Sequence, residues 1–226
     1  MFIALYTGGK DSHYALFKVL REYDLGEGLL LNIRSEKEDL YLLHTINSRW
    51  VDTHAQLMSM PIRVFYIRGD DEKREVAEII SKVARETNAR YLVSGVIASS
   101  FQKRILDSIA SINGLEHLSP LWGSDQERLL REEVVKERIE FIIVAAQAMG
   151  LTEGWVGRVI SSERDVEELI RLSRRYGFSP VGEGGEYESY VISSPLFKGK
   201  RIRVDGVKKW YKAGWGYFYI ERAEII

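Results

Sequence analysis

Short, wholly apolar runs alternate along the first half of the chain with longer stretches in which apolar residues recur every three or four positions. Phe2 to Leu5 is the first such run, followed by Leu16, Phe17, Leu20 and Tyr23 at helical spacing. Gly28 to Ile33 is a second run, and Ile62 to Ile67 a third. Between these two, Leu40 to His44 and then Val51, Ala55 and Met58 suggest a further short segment and a helix. Asp71 opens an amphipathic stretch with Val76, Ile79, Ile80, Val83 and Ala84 on one stripe, and Tyr91 to Val96 makes a fourth run. Runs of four to eight apolar residues separated by helical patterns predict buried parallel strands with right-handed helical crossovers. The fold class expected is α/β, with a parallel, Rossmann-like nucleotide-binding sheet.

The second half is less regular. Ile105, Ile109 and Ile112 continue a helical stripe, and Leu118 to Trp122 is an apolar segment broken by Pro120. Ser124 and Glu127 stand at capping-box spacing before Leu129, Leu130, Val134 and Val135. Phe141 to Ala148 reads as a strand, and Ser162 caps a helix through Val166, Leu169 and Ile170. Val207 to Tyr211 and Tyr217 to Glu221 read as two strands joined by a turn at Ala213 to Gly216. The weakening of the alternation puts a domain boundary near Gly123: a nucleotide-binding domain at 1–122 and a smaller α+β domain, read as substrate-binding, at 123–226.

The composition narrows the function classes. At 226 residues, 45% hydrophobic and 29% charged, the chain is a globular protein with room for two modest cores. A formal net charge of −1 without a sustained basic run argues against direct nucleic-acid binding. No apolar stretch reaches spanning length, so no membrane association is expected, and with strand and loop at the start the expected location is the cytoplasm. Cysteine is absent, which excludes disulfides, thiolate metal sites, persulfide chemistry and a cysteine glutaminase. Whether the chain forms a homo-oligomer is left open by composition.

The first candidate for chemistry is Tyr6 to Ser12, YTGGKDS, between the first strand and the first helix. Gly8 and Gly9 permit a sharp turn and close approach to a ligand, and the first helical turn presents free N–H groups. Lys10 adds a point charge, and Thr7 and Ser12 offer hydroxyls. That combination suits a phosphate group, although an ordinary glycine turn with an Asp or Ser cap has the same outline. The string is neither GxxxxGK[ST] nor GxGxxG.

The second candidate is Gly182 to Tyr190, GEGGEYESY, where Glu183, Glu186 and Glu188 fall among three glycines. Three like charges so close call for magnesium, an arginine or a cationic substrate, unless the segment is simply a solvated turn. His44 and His54, taken singly, read as core or surface residues. Gln102 and Arg104 read as surface helix residues.

Thr7 to Ser12 resembles the SGGxDS pyrophosphate loop of the N-type ATP pyrophosphatases, with Thr7 replacing the usual first serine. Taken with SGVIASSFQKR (94–104), SPLW (119–122), GLTEGWVGRV (150–159) and GEGGEYESYVISSPLF (182–197), the ordered set resembles the diphthine–ammonia ligase family along essentially the whole chain. Phe101 stands where tyrosine is usual. The resemblance implies an adenine nucleotide alpha hydrolase-like fold and the final step of diphthamide synthesis on translation elongation factor 2. A carboxylate is amidated there with ammonia, through an acyl-adenylate, and ATP is cleaved to AMP and pyrophosphate.

It also implies site roles for the first half. Thr7, Gly8, Gly9, Lys10, Asp11 and Ser12 would hold ATP, with Asn32, Ile33 and Gly95 beside the nucleotide and Asp11 the candidate ligand for Mg2+. The acidic turn goes beyond the resemblance: Glu183, Glu186, Tyr187 and Glu188, with Trp155, Gln102 and Arg104, are expected to meet the cationic substrate, the competing reading being that the glutamates serve magnesium. Lys10, Asp11, Glu183 and Glu186 are the candidate catalytic residues. The alternatives kept open are an adenylating ligase for a metabolite or tRNA carboxylate, and an ATP-binding regulatory module without turnover.

Overall fold

The computed structural model describes residues 1–35, 47–68 and 71–226. Its contacts divide it into two compact units, one of residues 1–7 and 11–122, the other of residues 8–10 and 123–226.

The first unit is a five-stranded sheet with helices. Strand β1 (Phe2–Leu5) runs through a glycine turn into helix α1 (Lys10–Glu22), then come β2 (Gly28–Ser35), α2 (Val51–Met58) and β3 (Ile62–Ile67). Helix α3 (Glu72–Thr87), β4 (Tyr91–Val93), α4 (Ser100–Ile112) and β5 (Glu116–Leu118) complete it. The strand order is β3-β2-β1-β4-β5, and every pairing is parallel. The chain therefore winds outward in one direction from β1 and then in the other, and β1 and β4 flank the point where the order reverses. Ligands of such sheets bind at that point, outside the carboxyl ends of the strands. Ile3, Leu31, Ile80, Val83, Leu92 and Ile109 lie in one buried cluster, so the apolar runs and helical stripes meet as the pattern requires.

Each boundary has a local cause. Asp71 caps α3 by accepting from Arg74 N–H, and Ser99 caps α4 by accepting from Gln102 N–H. Ile112 does not join the stripe it was assigned to: it closes α4 on the solvent side and is 81% exposed. Strand β4 ends at Val93 rather than Val96. Strand β5 was not foreseen, since Glu116, His117 and Leu118 carry no apolar run. The expected segment at Leu40 to His44 lies outside the described residues.

In the second unit, α5 (Gln126–Arg131) passes into a π-helical turn, Glu132–Lys136. Its cap is Asp125, which accepts from Arg128 N–H, and not the Ser124–Glu127 pair. Strands β6 (Glu140–Ala146) and β7 (Val159–Ile160), helix α6 (Glu163–Tyr176), and strands β8 (Tyr187–Ser193), β9 (Ile202–Tyr211) and β10 (Trp215–Ile225) follow. Strand β6 is the hub. It pairs antiparallel with β8 along its length, with β7 through Phe141 and Ile142, and with β10 through Ala145 and Ala146. Ser162 and Asp165 form a reciprocal capping box for α6, and Gly177 ends that helix at φ 74°. The hairpin of β9 and β10 is longer at both ends than the apolar pattern suggested. The unit is α+β, as expected.

Candidate active site

The glycine turn follows the carboxyl end of β1 in the chain, its residues Gly8–Lys10 counted with the second unit. Gly8 has φ 83°, a left-handed conformation that glycine adopts without strain. Ser12 Oγ accepts from Thr7 N–H at 3.2 Å and lies 3.1 Å from Thr7 Oγ1, closing the turn on itself. Gly95, after β4, is packed against the backbone of Asp11 and Ser12. A Cβ there would stand 2.7 Å from Asp11 C and Ser12 N, closer than any side chain permits. The beginning of α1 is thus seated on bare backbone, and the turn before it can approach a ligand closely.

Two networks hold this turn, and neither was read from the sequence. Tyr6 Oη lies 2.6 Å from His13 Nδ1 and 2.8 Å from His54 Nδ1, with all three residues buried. Tyr6 precedes the turn and His13 follows it, so the hydroxyl ties its two ends to α2. Asn32 Nδ2 donates to Tyr6 O at 2.8 Å, and Asn32 Oδ1 accepts from Arg34 Nε at 2.7 Å. Asn32 therefore spends its amide on the loop. Ile33, its neighbour, is buried in the sheet.

Gln102 donates its backbone N–H to Ser99 Oγ in the first turn of α4, and Arg104 Nε donates to Ser100 O on the exposed side.

Gly8, Gly9 and Lys10 take their contacts within the second unit. Gly8 O accepts from Val191 N–H, and Lys10 N–H donates to Ser189 Oγ at 3.1 Å, both on β8. Lys10 is only 1% exposed. Its ammonium lies 3.6 Å from the carboxylate of Glu133, a residue at 0% exposure, and 6.0 Å from the Tyr187 ring centre. Glu133 was missed because a glutamate in an amphipathic run reads as solvated. Its place in a π-helical turn turns it inward, and such turns gather at functional sites.

The acidic turn is built by its own carboxylate. Glu186 Oε1 accepts from Ser179 N–H at 3.0 Å and Oε2 from Gly184 N–H at 2.7 Å. Gln147 receives the backbone: its N–H donates to Glu186 O, and its Nε2 donates to Gly185 O. Glu183 N–H donates to Ser179 Oγ. Tyr187 is buried, stacks on Phe141 at 6.4 Å and donates to Pro180 O at 2.9 Å. Glu188 stands in β8 opposite Ala145. Trp155 is buried at 5%, and the Arg158 guanidinium covers its ring at 4.3 Å while binding Asp165 and Glu168.

Comparison with known proteins agrees with this organisation. Residues 1–117 match the family model described as the diphthamide synthase N-terminal domain, and residues 125–226 the model of its C-terminal domain. A diphthine–ammonia ligase of Rattus norvegicus is 31% identical over 225 residues, covering 89% of this chain and 82% of that protein. The Homo sapiens diphthine–ammonia ligase is 30% identical with the same coverage. A Schizosaccharomyces pombe diphthine–ammonia ligase is 27% identical over 90% of this chain but 36% of its own length. With both family models matched and the similarity running through both units, the chain belongs to the diphthamide synthase family.

Proposed function

We propose that this chain is an ATP-dependent amide ligase that converts diphthine on translation elongation factor 2 to diphthamide with ammonia. The observation that carries the reading is the family match through both units, joined to a bare-backbone cradle at the reversal point of a parallel sheet. A carboxylate is inert to ammonia until it acquires a leaving group. Attack of the carboxylate oxygen on the α-phosphate of ATP expels pyrophosphate and gives an acyl-adenylate, and ammonia then displaces AMP.

In this reading Gly8, Gly9, Asp11 and Ser12 receive the phosphates on backbone N–H groups and hydroxyls. Lys10, held against Glu133, sets the charge at the start of α1. Adenine lies along the end of β2, beside Asn32 and Ile33. Asp11 would be the protein's ligand for magnesium, which would supply positive charge to neutralise the departing pyrophosphate. Positioning of this kind supplies about 7–11 kcal/mol of a barrier. Glu183, Glu186, Tyr187 and Glu188 lie in one acidic turn whose charge suits the trimethylammonium and imidazole of diphthine.

The test is incubation with diphthine-bearing elongation factor, ATP, magnesium and ammonium, followed by mass measurement of the factor and assay for AMP. An acid-to-amide mass change with stoichiometric AMP is expected. AMP release without any change in the factor would move the assignment to another carboxylate substrate. No AMP under any of these conditions would favour an ATP-binding module without turnover.

A further inference from the structure

A second polar relay crosses the first unit, beside the glycine turn and apart from the residues assigned above. His117 stands in β5, under α4. Its Nδ1 lies 2.6 Å from Asp107 Oδ1, and its Nε2 lies 2.8 Å from Ser94 Oγ and 3.1 Å from Ser119 Oγ. Lys103, one turn earlier on α4, donates to both Asp107 oxygens at 2.9 Å. A carboxylate only accepts, so the ring proton sits on Nδ1 and Nε2 is bare, an acceptor for the hydroxyls of Ser94, the nearer, and Ser119. The relay ends where the nucleotide cradle begins: Ser94 follows β4 at the reversal point, and Gly95 rests on the backbone of Asp11 and Ser12.

Ser94 is 3% exposed, so its hydroxyl is held away from bulk water. Burial lowers the His117 pKa, against the upward pull of the Asp107 carboxylate. Burial alone would raise Asp107, but its hydrogen bonds from Lys103 and His117 outweigh this and leave it below the usual carboxylate range. Asp107 and Lys103 are the charged groups facing the imidazole, which is neutral at pH 7 with its accepting nitrogen turned to Ser94.

We propose that Ser94 and His117, oriented by Asp107, accept the proton released when ammonia attacks the activated carboxylate. The proposal rests on the ligase reading and names the base for its second half. Ammonia forms the new C–N bond, and the carbonyl-to-phosphate C–O bond breaks, its electron pair leaving with AMP. One N–H proton passes to Ser94 Oγ as the hydroxyl's own proton passes to His117 Nε2. The imidazolium, paired with Asp107, then returns the proton to solvent.

The experiment measures two half-reactions in the intact protein: exchange of pyrophosphate into ATP driven by diphthine-bearing elongation factor, and amide formation with ammonium. In Ser94→Ala, His117→Gln and Asp107→Asn, amide formation should fall by about 10²-fold or more, the usual contribution of a positioned base. Exchange should fall by less than about tenfold, and the acid limb of the amidation pH profile, taken at constant free ammonia, should disappear in His117→Gln. Ser94→Ala removes one oxygen and keeps the test alive if His117→Gln folds poorly. Equal loss of both half-reactions would make the relay a scaffold for the glycine turn and overturn the proposal, as would no loss of either. Absence of exchange in the unaltered protein would fail the ligase reading itself, and this base with it.

Discussion

Tyr6 Oη and His13 Nδ1 are 2.6 Å apart in a fully buried setting, and His54 Nδ1 is 2.8 Å from the same oxygen. One hydroxyl carries one proton, so one imidazole accepts it while the other donates to the oxygen. Protonating the accepting ring breaks that pattern. Burial, and then the charge of His54, lowers the His13 pKa. The folded state therefore binds this proton less readily than the unfolded chain, whose histidine titrates near 6.5. The stability from a neutral His13 is present above that value and lost as pH falls below it. Unfolding free energy from urea titrations should drop by up to about 1.4 kcal/mol per pH unit below about pH 6. His13→Asn should flatten this slope, and an unchanged slope would exclude His13 as its source. His117, shifted in the same direction, leaves a residual slope in that variant.

Lys10 and Glu133 form the second test. From the sequence, Lys10 is a point charge offered to phosphate, and its removal would be expected to spare the fold. In the structure it is buried against a buried carboxylate. Truncating one member of a buried pair leaves the other charge uncompensated, which costs about 3–5 kcal/mol. Lys10→Met should therefore lower the thermal midpoint sharply. Replacing both partners by apolar residues of similar volume removes that cost, so Lys10→Met with Glu133→Leu should recover most of the stability. AMP formation should remain lost in the double variant. Recovery of activity together with stability would show that the pair serves folding alone.

How much was legible follows from the range of each interaction. The glycine turn, the apolar strands and the Ser162 cap of α6 are written in neighbouring residues, and each was read directly; the reciprocal Asp165 half of that cap was not. Strand β5 was missed because Glu116 and His117 look polar, and only the tertiary fold shows that His117 faces Asp107 across ten positions. His54 was left open as a core or surface residue; it is buried, and its partner Tyr6 lies 48 positions away. Glu133 was hidden because amphipathic spacing assumes a regular helix, and a π-helical turn rotates one residue inward. The acidic turn was found by its charge, yet the sequence does not reveal that Glu186 spends both oxygens on backbone N–H groups.

That last point yields a prediction for Glu186. Its carboxylate accepts from Ser179 N–H and Gly184 N–H, so the side chain is the frame of the turn. Glu186→Gln replaces one acceptor oxygen by a donor that faces an N–H. The turn is partly open to water, so the loss should be modest, about 1 kcal/mol. Hydrogen exchange at the Ser179 and Gly184 amides should quicken, and the KM for the elongation factor should rise while ATP binding by calorimetry stays near its original value. If magnesium-dependent ATP binding is instead what fails, the turn serves the nucleotide and not the protein substrate.

Gly95 gives the most localised test of the cradle. A methyl group there would stand 2.7 Å from Asp11 C and Ser12 N, and both are backbone atoms, which no rotamer change can relieve. The beginning of α1 would have to move by several tenths of an ångström or more, away from β4. Small-to-large substitutions in packed positions cost about 1–3 kcal/mol, so Gly95→Ala should stay folded with a lowered thermal midpoint. The displaced N–H groups would no longer converge on a phosphate. ATP affinity by calorimetry should fall by more than about tenfold, out of proportion to the stability lost, because a misplacement of this size is expensive at a preorganised site. Normal ATP affinity in Gly95→Ala would mean that the nucleotide does not depend on the first turn of α1, and the phosphate cradle would have to be sought elsewhere.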